Sequence, residues 1–190
     1  RNACPAGIDI QGFIAHIANG AYNEAAKLIK EELPFPASVG RICPRFCEGE
    51  CRRQIVDEPI SICLLKRFAG DEGDNSYPTN SLSDTGKCVA VVGGGPAGLT
   101  AAYYLRQRGH RVTIFEAEQE LGGMMRYGIP RYRLPREVLD REIEQILQLG
   151  IEVKCGMKMG KDFNLQNLKE QGFDAVFISI GCQADKRLYL

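Results

Sequence analysis

Five cysteines crowd the first third of the chain: Cys4, Cys43, Cys47, Cys51 and Cys63. In the run ICPRFCEGEC, three of them stand four residues apart. On a helix that spacing puts the side chains on one face, and in a loop it lets them wrap a metal. Cysteine thiolates bind zinc or iron–sulfur clusters. Cys4 and Cys43 are each followed by proline, a frequent companion of cluster cysteines. Zinc favours paired C-x-x-C knuckles, and this sequence contains none. Iron–sulfur is therefore the leading expectation, zinc the second. Disulfides come third, because dinucleotide-type domains are more often cytosolic, where thiols stay reduced. Cys88, Cys155 and Cys182 are scattered and read as small buried residues in or beside strands.

A second constellation lies in VAVVGGGPAGLTAAYYL, where Gly93, Gly95 and Gly98 form G-x-G-x-x-G. The motif follows an apolar run and opens a helical stretch at Pro96 and Ala97. Gly93 allows the tight turn, Gly95 lets the backbone approach a pyrophosphate, and Gly98 permits close helix packing. The helix N-terminus then faces the phosphate charge. Glu116 follows Gly98 by 18 residues and ends the next apolar run, where a carboxylate can bind ribose hydroxyls. Gly122 and Gly123 offer a second close backbone approach. Arg126, Arg131, Arg133 and Arg136, interleaved with Tyr127 and Tyr132, read either as a flavin or partner contact or as a solvated basic loop. His16 and His110 have no ligand constellation around them.

These groups need elements to hold them. Ile10, Phe13, Ile14 and Ile17 share one helix face that should stop near Asn19-Gly20. Ala25, Leu28, Ile29 and Leu33 give a second helix, closed by Pro34 and Pro36. Residues 61–68 give a short third. So thin a helical core calls for a staple such as a metal. Residues 70–87 are rich in Gly, Asp, Ser and Asn and read as a linker. Strands are expected at 89–92, 112–115, 151–154 and 175–180. Helices are expected at 97–108, from Pro135 onward, and at 165–171. This alternation implies a parallel sheet covered on both faces. The expected domains are 1–70, helical; 71–87, linker; and 88–190, Rossmann-like.

Lys and Arg number 24, matched by 24 Asp and Glu. That zero balance gives no support to a nucleic-acid or anionic-membrane binder. No apolar run approaches the roughly 20 residues of a membrane span. The opening RNACPAGIDI has no apolar signal-peptide core, so a cytoplasmic location is expected.

Residues 4–53, CPAGIDI through ICPRFCEGECRR, followed by GGGPAG, resemble the small subunit of NADPH-dependent glutamate synthase and its relatives. The same module is similar to the N-terminal part of dihydropyrimidine dehydrogenase. The resemblance covers nearly the whole chain. It implies an α plus α/β architecture, in which a helical iron–sulfur domain precedes part of a Rossmann-like FAD-binding domain. It also implies FAD at the glycine motif, with Glu116 and the following Gly122-Gly123 supporting FAD over NAD. The segment DAVFISIG resembles the returning strand of such flavin domains, with Ile180 where Thr is common.

For the metal, the resemblance implies one 4Fe-4S cluster on Cys4, Cys43 and Cys47. Lys66 stands where relatives place a fourth ligand, and a charged lysine cannot ligate. Cys63, one helical turn earlier, is the expected substitute. Cys51 matches a ligand of a second cluster, whose other cysteines would precede Arg1. NAD(P)H would be reached through a domain outside residues 1–190, and a larger oxidoreductase subunit would be the partner. The competing expectations are a non-catalytic interaction module and a zinc-stapled NAD-binding protein.

Overall fold

The computed structural model describes residues 3–73 and 83–182. Part of the expected linker, 74–82 with Tyr77 and Leu82, lies outside the described residues. Contacts divide the chain into two units, Arg1–Asn80 with Ile129–Leu149, and Ser81–Gly128 with Gly150–Leu190.

The first unit is helical. It contains α1 (Ile10–Ala18), α2 (Tyr22–Lys30), α3 (Pro36–Ile42), α4 (Phe46–Gly49), a 3₁₀ turn (Arg52–Ile55), α5 (Ile62–Glu72) and α8 (Arg136–Leu147). Asp9 caps α1, its carboxylate accepting from the Gly12 N–H at 3.1 Å. Ile8, Phe13, Ala25, Ile29, Ile62 and Ala69 form the buried core, with Cys4 and Cys47 packed at its edge. Two features differ from expectation. Helix α3 begins at Pro36, which the sequence reading treated only as a stop. Proline is well placed there, because the first helical residue needs no N–H donor. Helix α8 groups with this unit rather than with residues 88–128, and Pro135 is its N-cap rather than its first residue.

The crossing of α3 and α5 explains why small residues occupy it. A Cβ on Gly40 would lie 2.6 Å from Arg67 Cα, and one on Gly70 would lie 2.5 Å from Ala37 N. Arg41 clamps the crossing, donating from Nη1 and Nη2 to both carboxylate oxygens of Asp71 at 2.9 and 3.0 Å. Glu142 of α8 is buried and accepts from the backbone N–H groups of Ala37 and Ser38 at 2.8 and 2.9 Å. It therefore satisfies the orphan donors at the start of α3.

The second unit is a parallel sheet ordered β3-β2-β1-β4, from β1 (Cys88–Val92), β2 (Arg111–Phe115), β3 (Glu152–Lys154) and β4 (Ala175–Ile178). Helix α6 (Pro96–Gln107) packs on β1, β2 and β4, burying Leu99, Ala102 and Tyr103. The other face carries Ala90, Val92 and Phe115 under Phe163 and Leu168, the latter on α9 (Leu165–Glu170). A short helix, α7 (Met124–Tyr127), follows the second glycine pair. The sheet is thus parallel, as strand–helix alternation implied, but only β1 and β2 are covered on both faces, while β3 and β4 are largely exposed. The strands match their expected positions within two residues.

Candidate functional sites

In the helical unit, Cys4, Cys43, Cys47 and Cys63 line one recess, together with Pro5, Phe46 and Lys66. Four elements supply them. Cys4 precedes α1, Cys43 is the C-cap of α3, Cys47 lies on α4, and Cys63 lies in the first turn of α5. The α3–α5 crossing fixes the distance between Cys43 and Cys63. Glu48, next to Cys47, accepts from the Cys63 N–H at 2.8 Å and so caps α5 from a neighbouring helix. Arg45 takes the left-handed conformation at φ 66°, the only described non-glycine residue to do so. Its N–H points at Cys43 Sγ, 3.4 Å away. Amide hydrogen bonds to sulfur are a feature of cluster ligation.

Burial pushes the Cys47 thiol up, and the neighbouring Cys4 and Cys43 push it further. Burial also pushes Cys63 up, with Lys66 pulling the other way. The Cys63 thiol donates to the Gly40 carbonyl at 3.2 Å. That bond suits a small core residue as well as a protonated ligand awaiting metal. Ligation of a metal would release the proton of such a thiol.

Among the described residues, no three His, Cys, Asp or Glu side chains gather as the ligands of a metal ion would. The four thiols ring an open recess instead. A four-iron cluster is wider than a single ion, whereas zinc draws its sulfurs in to about 2.3 Å. Four thiols lining one recess are the donor set of a four-iron cluster. Cys51, the N-cap of the 3₁₀ turn, is half-buried and does not line the recess. Cys155 and Cys182 are exposed and Cys88 half-buried, so the expectation of buried strand residues fails for the first two. Each lies just beyond the end of its strand, where the sheet no longer covers it.

In the sheet unit the glycine motif follows β1 and opens α6. Gly93 has φ 107°, closed to most side chains. A Cβ on Gly98 would run into the Gly93 carbonyl, so the helix can approach the turn only without one. Gly95 is the N-cap of α6 and gives it no side-chain cap, and Pro96 follows at the first helical position. Ala97 comes next in this uncapped first turn, an arrangement open to an anion. The second glycine pair meets the first directly. The Gly122 N–H donates to the Gly94 carbonyl at 2.8 Å. A Cβ on Gly123 would lie 2.8 Å from Gly95 Cα. Two bare backbones thus make one cradle.

Glu116 sits at this cradle, buried, and accepts from the Gly94 N–H at 2.6 Å and the Glu118 N–H at 2.8 Å. Its spacing was legible; its role in tying the glycine turn to the end of β2 was not. A carboxylate offers about four acceptor sites, so capacity remains for ribose hydroxyls. Arg126 is also buried, and its guanidinium donates to the Leu121 carbonyl and to Glu120. It braces the loop before Gly122. The other arginines group with the helical unit, where Arg131 and Arg133 are exposed and Arg136 donates to the carbonyls of Ile129 and Leu134. Glu48 and the Arg45 N–H were not singled out from sequence, since neither has a spacing signature.

Comparison with known proteins finds relatives of both units. Residues 1–77 match the model described as dihydropyrimidine dehydrogenase domain II, 4Fe-4S cluster. Residues 91–149 match an NAD(P)-binding Rossmann-like domain. The glutamate synthase [NADPH] small chain of Bacillus subtilis is 36% identical over 98% of this chain and 41% of its own length. Over nearly its whole length the chain is similar to the glutamate synthase small chain and its relatives. Subunit PreT of the NAD-dependent dihydropyrimidine dehydrogenase of Escherichia coli O157:H7 is 39% identical over 99% of this chain and 46% of its own. The NADPH-Fe(3+) oxidoreductase subunit beta of Geobacter sulfurreducens is 42% identical over 96% of this chain and 28% of its own. The chain therefore spans less than half the length of these relatives. Its architecture is a helical 4Fe-4S domain followed by a Rossmann-like domain. Among the described residues, no helix is long and apolar enough to cross a membrane.

Proposed function

We propose that this chain is the electron-relay portion of an NAD(P)H-dependent flavin and iron–sulfur oxidoreductase subunit, passing electrons to a larger partner subunit. The observation that carries the reading is the convergence of four cysteines from four elements on one recess, in a chain that also builds a two-glycine-loop cradle. Cys4, Cys43 and Cys47 would hold a 4Fe-4S cluster, with Cys63 as fourth ligand. Gly93, Gly95, Gly98, Gly122 and Gly123 would hold the pyrophosphate of FAD, with Glu116 on its ribose. When bound, flavin takes electrons in pairs and releases them singly, and a cluster carries them one at a time.

The chain's own residues have distinct tasks in this reading. Helix α6 presents its uncapped N-terminus to the phosphates. Glu116 fixes the glycine turn through Gly94. The Arg45 N–H and the Glu48 carboxylate hold the Cys43 and Cys63 segments in place.

Anaerobic purification followed by visible spectroscopy tests the reading. Brown protein with broad absorbance, and FAD released on denaturation, is the expected result. Colourless protein carrying one zinc per chain would contradict it.

A further inference from the structure

The recess holds one feature that cluster ligation alone does not call for. Lys66 on α5 is only 6% exposed and lines the recess beside Cys4, Cys43, Cys47 and Cys63. Lysine is almost never this buried unless paired. Lys66 has no carboxylate or hydrogen-bond partner among the described residues, and its electrostatic influence falls on Cys47 and Cys63. Cys43, Arg45 and Glu48 also act on Cys63. Arg45 and Glu48 oppose each other, and Glu48 is already engaged by the Cys63 N–H at 2.8 Å. Lys66 is thus the uncompensated cation of the recess. Thiolates and an anionic cluster in the recess would set a counter-charge beside its ammonium.

We infer that Lys66 is the built-in counter-ion of the cluster and sets its reduction potential. The inference rests on the cluster reading given above. Reduction adds one electron, and hence one negative charge, with no proton and no bond made or broken. The electron comes from reduced flavin or, in a titration, from dithionite. A fixed ammonium at the wall of the recess stabilises the extra charge, so it favours the reduced form and raises the potential. Net charge and hydrogen bonds near the sulfurs are the levers a protein has for this. Lys66 acts through the cluster and is a positioning residue, not a ligand.

The test is an anaerobic dithionite titration followed by electron paramagnetic resonance, with iron and sulfide measured on each sample. Lys66→Leu should keep full iron while its reduction equilibrium falls about tenfold. For a one-electron couple that is a midpoint about 59 mV lower. Lys66→Arg, which keeps the charge, should stay within about twofold of the wild type. The exposed Lys27→Leu controls for overall charge and should not shift. Lys66→Leu with full iron and an unchanged midpoint would overturn the inference. If Lys66→Leu loads poorly, Lys66→Gln takes its place with the same two outcomes. Iron lost from every neutral variant but kept in Lys66→Arg would assign Lys66 to site assembly and overturn the tuning role. Wild-type protein that binds no iron would overturn the cluster reading itself, a result distinct from an unmoved midpoint.

Discussion

At the residue scale the account stands on single side chains whose removal has separable effects. Cys43→Ser and Cys47→Ser should each abolish the cluster, read as loss of visible absorbance, because each removes a thiolate from the ring. Cys51→Ser should leave it intact, since Cys51 lies outside the recess. Cys63→Ser discriminates most sharply. As a ligand it should lose at least part of the iron; a variant that keeps a full cluster would assign Cys63 to the core, where its thiol already donates to Gly40. The glycine cradle has its own test. Gly98→Ala drives a methyl into the Gly93 carbonyl. It should abolish FAD binding and destabilise the sheet unit by roughly 1–3 kcal/mol, measured by denaturant unfolding. The G-x-G-x-x-G spacing was legible because each glycine answers to a steric demand. The engagement of Glu116 by Gly94 was not, because it depends on how the end of β2 meets the turn.

At the element scale the α3–α5 pair holds the cysteines at their distances. Helix α3 escaped the sequence reading for a physical reason. Its buried residues are Pro36, Ala37, Ser38 and Gly40, too small to produce an apolar periodicity. Its burial comes from closeness, not from bulk. Helices α1 and α8, with Phe13, Leu139, Ile143 and Ile146 buried, were legible because large apolar residues repeat at helical spacing. Which unit α8 serves was not legible, since a stripe does not name its partner. Glu142 supplies that answer. Glu142→Ala should cost about 2–4 kcal/mol by leaving two buried N–H groups of α3 unsatisfied, and denaturant unfolding should show it. A change of less than a few tenths would mean that α8 does not cap α3. In the sheet unit, Asp174 before β4 is held below its ordinary value by the Lys87 ammonium and the Cys88 N–H. A carboxylate with a lowered folded value stabilises above its unfolded value, and that stability is lost as pH falls through the folded one. Asp174→Asn should therefore flatten the acid limb of the stability profile, and, because Asp174 also holds the Lys87 ammonium above its ordinary value, it should flatten the alkaline loss at the Lys87 titration as well.

At the scale of the whole molecule, two units with different chemistries share one chain. The neutral charge balance gave no support to a nucleic-acid partner and named no other. Cysteine asymmetry and the glycine motif together marked the division into a helical metal-binding part and a Rossmann-like part. Similarity to the glutamate synthase small chain and its relatives then runs over nearly all of the chain. The linker composition marked a boundary, but it could not foresee that residues 129–149 return to the helical unit. Such a return is a property of three-dimensional contact, and local composition carries no trace of it. The central claim is that four cysteines from four elements hold one cluster. Iron and acid-labile sulfide, quantified together on anaerobically purified protein, test it most directly. The account predicts about four of each per chain. Iron without sulfide, or a single zinc per chain, would contradict it.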